Sequence, residues 1–193
     1  MQLAREGRLR EHADFCEADP EDLERWVPHR PGGDMPTVIV DATWSDLATG
    51  EPGLSRLRRA CALGYHIVTL SKAPLVADFD GLIGAARENS VQLKFSGATA
   101  AGLPTIDTIR VSLAGAEVMS IEGIMNSTTN YILTAMSDDG LTYEDALNRT
   151  VAMGLAESES DRDVRGIDTA CKVLILANAA MNARKTLSDV KIK

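Results

Sequence analysis

The spacing of apolar positions along the chain changes near residue 100. Before that point, apolar residues gather in short β-branched runs separated by helical stretches. TVIVDAT (37–43) is a continuous run of the kind found in strands covered on both faces. GLSRLRRACALG (53–64) carries apolar residues at helical spacing and ends on Gly64, a residue suited to closing a helix. YHIVTLS (65–71) predicts a second strand, FDGLIGAARENS (79–90) a second helix and VQLKFS (91–96) a third strand. Strands alternating with helices over short connections specify a parallel sheet with right-handed crossovers. Upstream, residues 1–15 read as a polar helix followed by an acidic, Pro-containing loop to about residue 36.

Beyond Gly102 the pattern is different. LPTIDTIRVSLAG (103–115) reads as a helix, and EVMSIEGIM (117–125) alternates like a strand with one covered face. Helical patterns follow at 127–138, 142–153 and 166–181, with a polar, acid-rich connection between Gly154 and Gly166. SDVKIK (188–193) looks like the opening of another strand. The predicted fold class is α/β: a partial doubly wound, Rossmann-like parallel sheet in residues 1–100, then an α+β piece in residues 101–193.

Composition narrows the function classes. Hydrophobic residues make up 45% of the chain but aromatics only 4%, so the core is aliphatic. A formal net charge of −8 argues against a broad phosphate-contacting surface, hence against nucleic acid as a partner. No apolar run reaches the roughly 18 residues that a membrane-spanning helix needs, and MQLAREGRLREHADF is too charged to be a secretory signal. Cys16, Cys61 and Cys171 are odd in number and widely spaced, as are His12, His29 and His66, which suits reduced thiols in a cytoplasmic protein better than disulfides or zinc. One absence also matters. A dinucleotide-binding sheet normally opens on a strand and a Gly-rich turn; here no G-x-G-x-x-G follows any strand, and Gly32-Gly33 precedes one. Either the sheet binds no dinucleotide or the chain lacks that first strand–turn–helix unit.

The candidate chemistry lies in ESESDRDVRGIDTACKVLILA (157–177). Asp168 and Lys172 are four apart on a predicted helix, acid first, the favourable order for a pair. On an exposed helix this pair would contribute only about 0.3–0.5 kcal/mol. The apolar residues from Val173 to Ala177 point instead to a covered helix, with the pair at its mouth and placed to hold a charged small molecule. Glu159 and Asp161 read as a solvated acidic loop.

IEGIMNSTTNYIL (121–133) and GLAESESDRDVRGIDTACK (154–172) resemble the homoserine dehydrogenases, as do DATWSDLATGEPGL (41–54), GYHIVTLSKAPLV (64–76) and ATAAGLPTIDTIR (98–110), all in the family's order. The resemblance covers roughly residues 37–193. It implies a nucleotide-binding domain followed by a catalytic and dimerisation domain, a homodimer, and interconversion of homoserine and aspartate semialdehyde with NADP or NAD. It also implies a fragment, with the family's Gly-rich loop upstream of Met1 and a last segment downstream of Lys193.

On that resemblance Lys172 donates or accepts the proton, a task for which desolvation suits a lysine, and Asp168 orients it. Glu157 takes the substrate amino group, with Asp163 supporting the same pocket and Thr128 near the substrate. Lys72 contacts cofactor and substrate, preceded by Ser71 where the family commonly has Asn. Thr43 and Gly154 contact the cofactor. Leu155 replaces a frequent Tyr, and Ser127 a frequent Gly. A monovalent cation, Na+ or K+, maps onto Thr99, Ala101 and Leu103, where Ser96 replaces a common glutamate. Two other readings stay open: a catalytically silent dimerising module of the same fold, and a different amino-acid-semialdehyde or hydroxy-acid dehydrogenase.

Overall fold

The β-branched runs form three parallel strands, β1 (Val38–Asp41), β2 (His66–Thr69) and β3 (Leu93–Lys94), in the spatial order β1-β2-β3. This is a computed structural model, and it describes residues 36–154 and 165–192. Val38 pairs with His66 and Asp41 with Thr69, so the carboxyl ends of β1 and β2 finish level with one another. Each crossover carries a helix, α1 (Gly53–Ala62) between β1 and β2, and α3 (Phe79–Glu88) between β2 and β3. A short helix, α2 (Ala73–Ala77), precedes α3. Gly64 closes α1 at φ +75°, a backbone region that a side chain would strain. Asp78 starts α3 by accepting a hydrogen bond from the Gly81 N–H.

Strand order and chain order agree, so successive crossovers move the same way and their helices share one face of the sheet. Leu57, Ala60 and Cys61 of α1, which packs on both β2 and α3, are buried, as are Leu82 of α3 and Ile67 and Thr69 of β2. The other face carries Val38 and Val40, both exposed. The expectation that 37–43 is covered on both faces is therefore not met: among the described residues only one side of β1 has a helix layer.

Downstream of β3 come α4 (Ser96–Ala100) and α5 (Thr105–Asp107), the latter running into a π-helical turn, Thr108–Ser112. The helix expected over 103–115 thus starts later and ends sooner. Arg110 of this turn stacks its guanidinium 4.8 Å from the centroid of Phe95, whose edge meets Phe79. Residues 117–125 form no strand. Alternation supplies one apolar face, but a strand also needs a neighbouring backbone, and no described strand lies beside this segment. The expected strand at 188–193 is likewise absent. Leu187–Asp189 instead form a 3-10 turn, with Thr186 and Asp189 capping one another.

The remaining helices are α6 (Ser127–Asp138), α7 (Tyr143–Ala152) and α8 (Ile167–Met181). α6 and α7 make a hairpin around Ile132, Ala135 and Ala146. α8 packs on α2, α4 and α5, burying Ala170, Cys171, Leu174, Ile175 and Leu176. Its far end is fixed by Asn178, which donates to the Lys185 carbonyl and accepts from the Lys185 N–H. Docking α8 on α2 places the start of the last long helix beside the end of β2.

Candidate active site

Lys72 follows β2 and starts α2, while Asp168 lies in the first turn of α8. Their side chains meet: Lys72 Nζ is 3.0 Å from Asp168 Oδ1. Lys172, one turn along α8, places its Nζ 2.7 Å from Asp168 Oδ2. One carboxylate therefore joins two ammonium groups from different elements. Asp168 is 15% exposed and Lys172 17%, against 35% for Lys72, so the pair is sheltered and the second lysine remains open to a ligand. This is not the solvated i,i+4 pair that spacing alone allows.

Two further groups complete the cluster. Asn126 donates from Nδ2 to Asp168 Oδ2 at 3.1 Å, while its Oδ1 caps α6 by accepting from the Thr129 N–H at 2.9 Å. Lys172 Nζ also donates to the Met125 carbonyl at 2.7 Å. Burial alone would push the Asp168 carboxyl up, but hydrogen bonds from Lys172, Lys72 and Asn126 outweigh it and hold the group below the ordinary carboxylate range. The site is thus built to keep this carboxylate ionised.

A cleft of about 360 Å³ opens at the carboxyl ends of β1 and β2. Trp44, Leu47, Leu70 and Ile167 give it apolar walls, and Thr43, Lys72 and Asp168 give it polar ones. The crevice outside the strand ends of an open parallel sheet is where such folds bind ligands. A second, wider groove runs along Ile121–Ser127 and includes Lys172. The Asp168–Lys172 pair stands where the two meet.

The structure brings Thr43, Lys72, Asp168 and Lys172 to this junction. Thr128 is buried in the first turn of α6, outside the residues lining the first cleft. Gly154 ends α7 at φ +69° and is likewise absent from that lining. Thr99, Ala101 and Leu103 lie along the wider groove, with the Thr99 hydroxyl engaged by the Ser96 carbonyl at 2.9 Å and by Thr105 Oγ1 at 2.6 Å. Glu157 and Asp163, with Leu155, Glu159 and Asp161, lie outside the described residues.

Sequence reading missed three contributors. Asn126 holds its own helix start and a distant helix at once, and the second bond leaves no trace in residue spacing. The Met125 carbonyl has no sequence signal at all. Asp41, buried in a β-branched strand, was the one available hint: an acid in such a run needs a partner, and it finds Thr43, Thr69 and Arg56.

Known proteins resemble this chain over most of its length. Residues 104–193 match the family model described as homoserine dehydrogenase. Homoserine dehydrogenase of Methanocaldococcus jannaschii is 40% identical over 156 residues, covering 81% of this chain and 46% of that protein. The NAD(+)-dependent homoserine dehydrogenase of Pseudomonas canavaninivorans is 38% identical over 156 residues, covering 81% of this chain and 44% of that one. Among solved structures, a hyperthermophilic archaeal homoserine dehydrogenase in complex with NADPH superposes with a TM-score of 0.77 at 28% identity, covering 93% of this chain and 53% of that chain. The chain therefore spans about half the length of the relatives it matches.

Proposed function

The chain belongs to the homoserine dehydrogenase family, and on that premise we propose that it carries the lysine–carboxylate centre of an NAD(P)-dependent interconversion of L-homoserine and L-aspartate 4-semialdehyde, a step toward threonine and methionine. The observation that carries this reading is Asp168 held between Lys72 and Lys172 at the strand-end cleft. NADP or NAD fits the first cleft by its chemistry, since apolar walls from Trp44, Leu47, Leu70 and Ile167 suit a flat ring and Thr43 and Lys72 suit its polar edge. When bound there, the cofactor would supply the hydride acceptor or donor for the terminal carbon of the substrate.

Lys172 manages the accompanying proton. In the reductive direction its ammonium donates to the aldehyde oxygen; in the oxidative direction its amine takes the proton from the terminal hydroxyl. Asp168 and the Met125 carbonyl each accept from Lys172 Nζ and so fix where that nitrogen points. The more open Lys72 receives the substrate carboxylate. Glu157 and Asp163 take the substrate ammonium, and Thr128 supports the substrate from the α6 turn. Gly154 gives a Cβ-free approach for the cofactor at the head of the acidic segment. The backbone at Thr99, Ala101 and Leu103 is the place for a monovalent cation, Na+ or K+.

The segment around 117–125 joins a second copy in a homodimer, where its alternating residues find cover. The enzyme reading is tested by following nicotinamide absorbance with L-homoserine and either cofactor, against simple 2-hydroxy acids as controls. Homoserine-dependent reduction is expected. A preference for simple hydroxy acids points to a different dehydrogenase, and no turnover with either cofactor points to a silent module.

A further inference from the structure

The end of β1 holds a second polar network that the mechanism above does not use. Asp41 Oδ1 accepts from the Thr43 N–H at 3.2 Å and from the Thr43 hydroxyl at 2.6 Å, and its Oδ2 accepts from the Thr69 hydroxyl at 2.9 Å. Thr69 Oγ1 in turn accepts from the Ser71 N–H at 3.1 Å. Arg56, reaching over from α1, donates from Nη1 to Thr43 Oγ1 at 2.7 Å and stands 3.9 Å from Asp41 Oδ1. One carboxylate thus orders both strand ends that bound the cleft, including the residue just before Lys72.

Counting protons on Thr43 gives more than rigidity. A hydroxyl has one proton and two lone pairs. A carboxylate has no proton to give, so the Thr43 proton goes to Asp41. A guanidinium has no lone pair to offer, so one Thr43 lone pair goes to Arg56. What remains, on a side chain lining the cleft, is a single lone pair. Arg56 is only 11% exposed, and its Nε is buried with no partner among the described residues. Packing alone does not account for a guanidinium so desolvated; its Nη1 contact and its counter-charge to Asp41 do.

We propose that Asp41 and Arg56 are positioning residues that fix the polarity of the Thr43 hydroxyl, making this strand end an obligate hydrogen-bond acceptor that selects ligands presenting an N–H to it. This deepens, and rests on, the cofactor reading above: the group selected is the amide N–H of a pyridine-3-carboxamide ring. An analogue with the same ring and carbonyl but a methyl ketone in place of the amide has nothing to donate.

The test compares dissociation constants of NADPH and its 3-acetylpyridine analogue for the chain, for Asp41→Asn and for Arg56→Gln. The chain prefers the carboxamide about fivefold to tenfold, the worth of one hydrogen bond. The Asn amide can both donate and accept, so in Asp41→Asn the hydroxyl is free to turn and the preference falls to within about twofold; in Arg56→Gln the carboxylate still holds the Thr43 proton and the preference stays. Equal affinity of the unaltered chain for the two compounds overturns the proposal. So does an Asp41→Asn variant that weakens both equally and keeps their ratio, as a purely structural clasp would. If the unaltered chain binds neither compound, the cofactor reading fails by itself, and amide hydrogen exchange judges the clasp. Thr43 and Ser71 amides then exchange at least about tenfold faster in Asp41→Ala than in the parent, roughly the loss of one hydrogen bond; unchanged exchange overturns the proposal there too.

Discussion

Lys72 and Asp168 form an ion pair at 3.0 Å across the junction between the parallel sheet and the last long helix. The contact exists because β2 delivers Lys72 to the strand-end cleft and α8 docks on the helix that Lys72 starts. Asp168→Asn leaves two ammonium groups near one another without their shared partner. Urea unfolding is expected to show a loss of about 1–3 kcal/mol, and turnover to fall by on the order of 10². A variant of unchanged stability would mean that the lysines find other partners at no cost.

The same carboxylate sets an acid limit. Its folded pKa lies below the ordinary range, so the unfolded chain takes up the proton more readily. The stability contributed by its hydrogen bonds is complete above the unfolded value of about 3.9 and is lost as pH falls through the lower folded value. Unfolding midpoints measured between about pH 5 and pH 2.5 should therefore fall less steeply in Asp168→Asn than in the parent. Parallel slopes would contradict this.

Asn126 does two jobs, and two substitutions separate them. Serine keeps the helix cap but is too short for the Asp168 carboxylate; alanine loses both contacts. Asn126→Ala is expected to lower stability by about 1 kcal/mol, and Asn126→Ser by much less. Both should lower kcat by a similar factor while changing the cofactor KM little. If the serine variant retains full turnover, Asn126 serves only as a cap.

Much of the fold was legible because its signals are local. The β-branched runs, the helical spacing of Leu54, Leu57 and Cys61, and the closing Gly64 act within a few residues. The Asp168–Lys172 pairing was legible for the same reason, since helical geometry alone brings those positions together. What escaped depends on neighbours distant in the chain. The strand pattern of 117–125 was real as alternation, yet no strand among the described residues pairs with it. Val38 and Val40 read as core, but the consecutive crossovers put their helices on the opposite face. The Asn126–Asp168 and Arg56–Thr43 bonds join separate elements, and residue spacing carries no trace of them.

The unpaired segment makes a prediction of its own. Met119 and Ile124 are exposed with apolar side chains, and the proposed dimer covers them. Light scattering should give a dimer for the chain, and Ile124→Asp should shift it toward monomer with its helical circular dichroism retained. A monodisperse monomer of the unaltered chain at high concentration would rule the dimer out.

The central claim is that the sheltered Lys172 amine, aimed by Asp168 and the Met125 carbonyl, carries the proton that accompanies hydride transfer. It is tested most directly by the rate of homoserine-dependent NADP+ or NAD+ reduction in Lys172→Met, a replacement of similar length that cannot hold a proton. The account predicts a fall in kcat of about 10²–10⁴ with cofactor affinity nearly unchanged. A variant that turns homoserine over within twofold of the parent would contradict it.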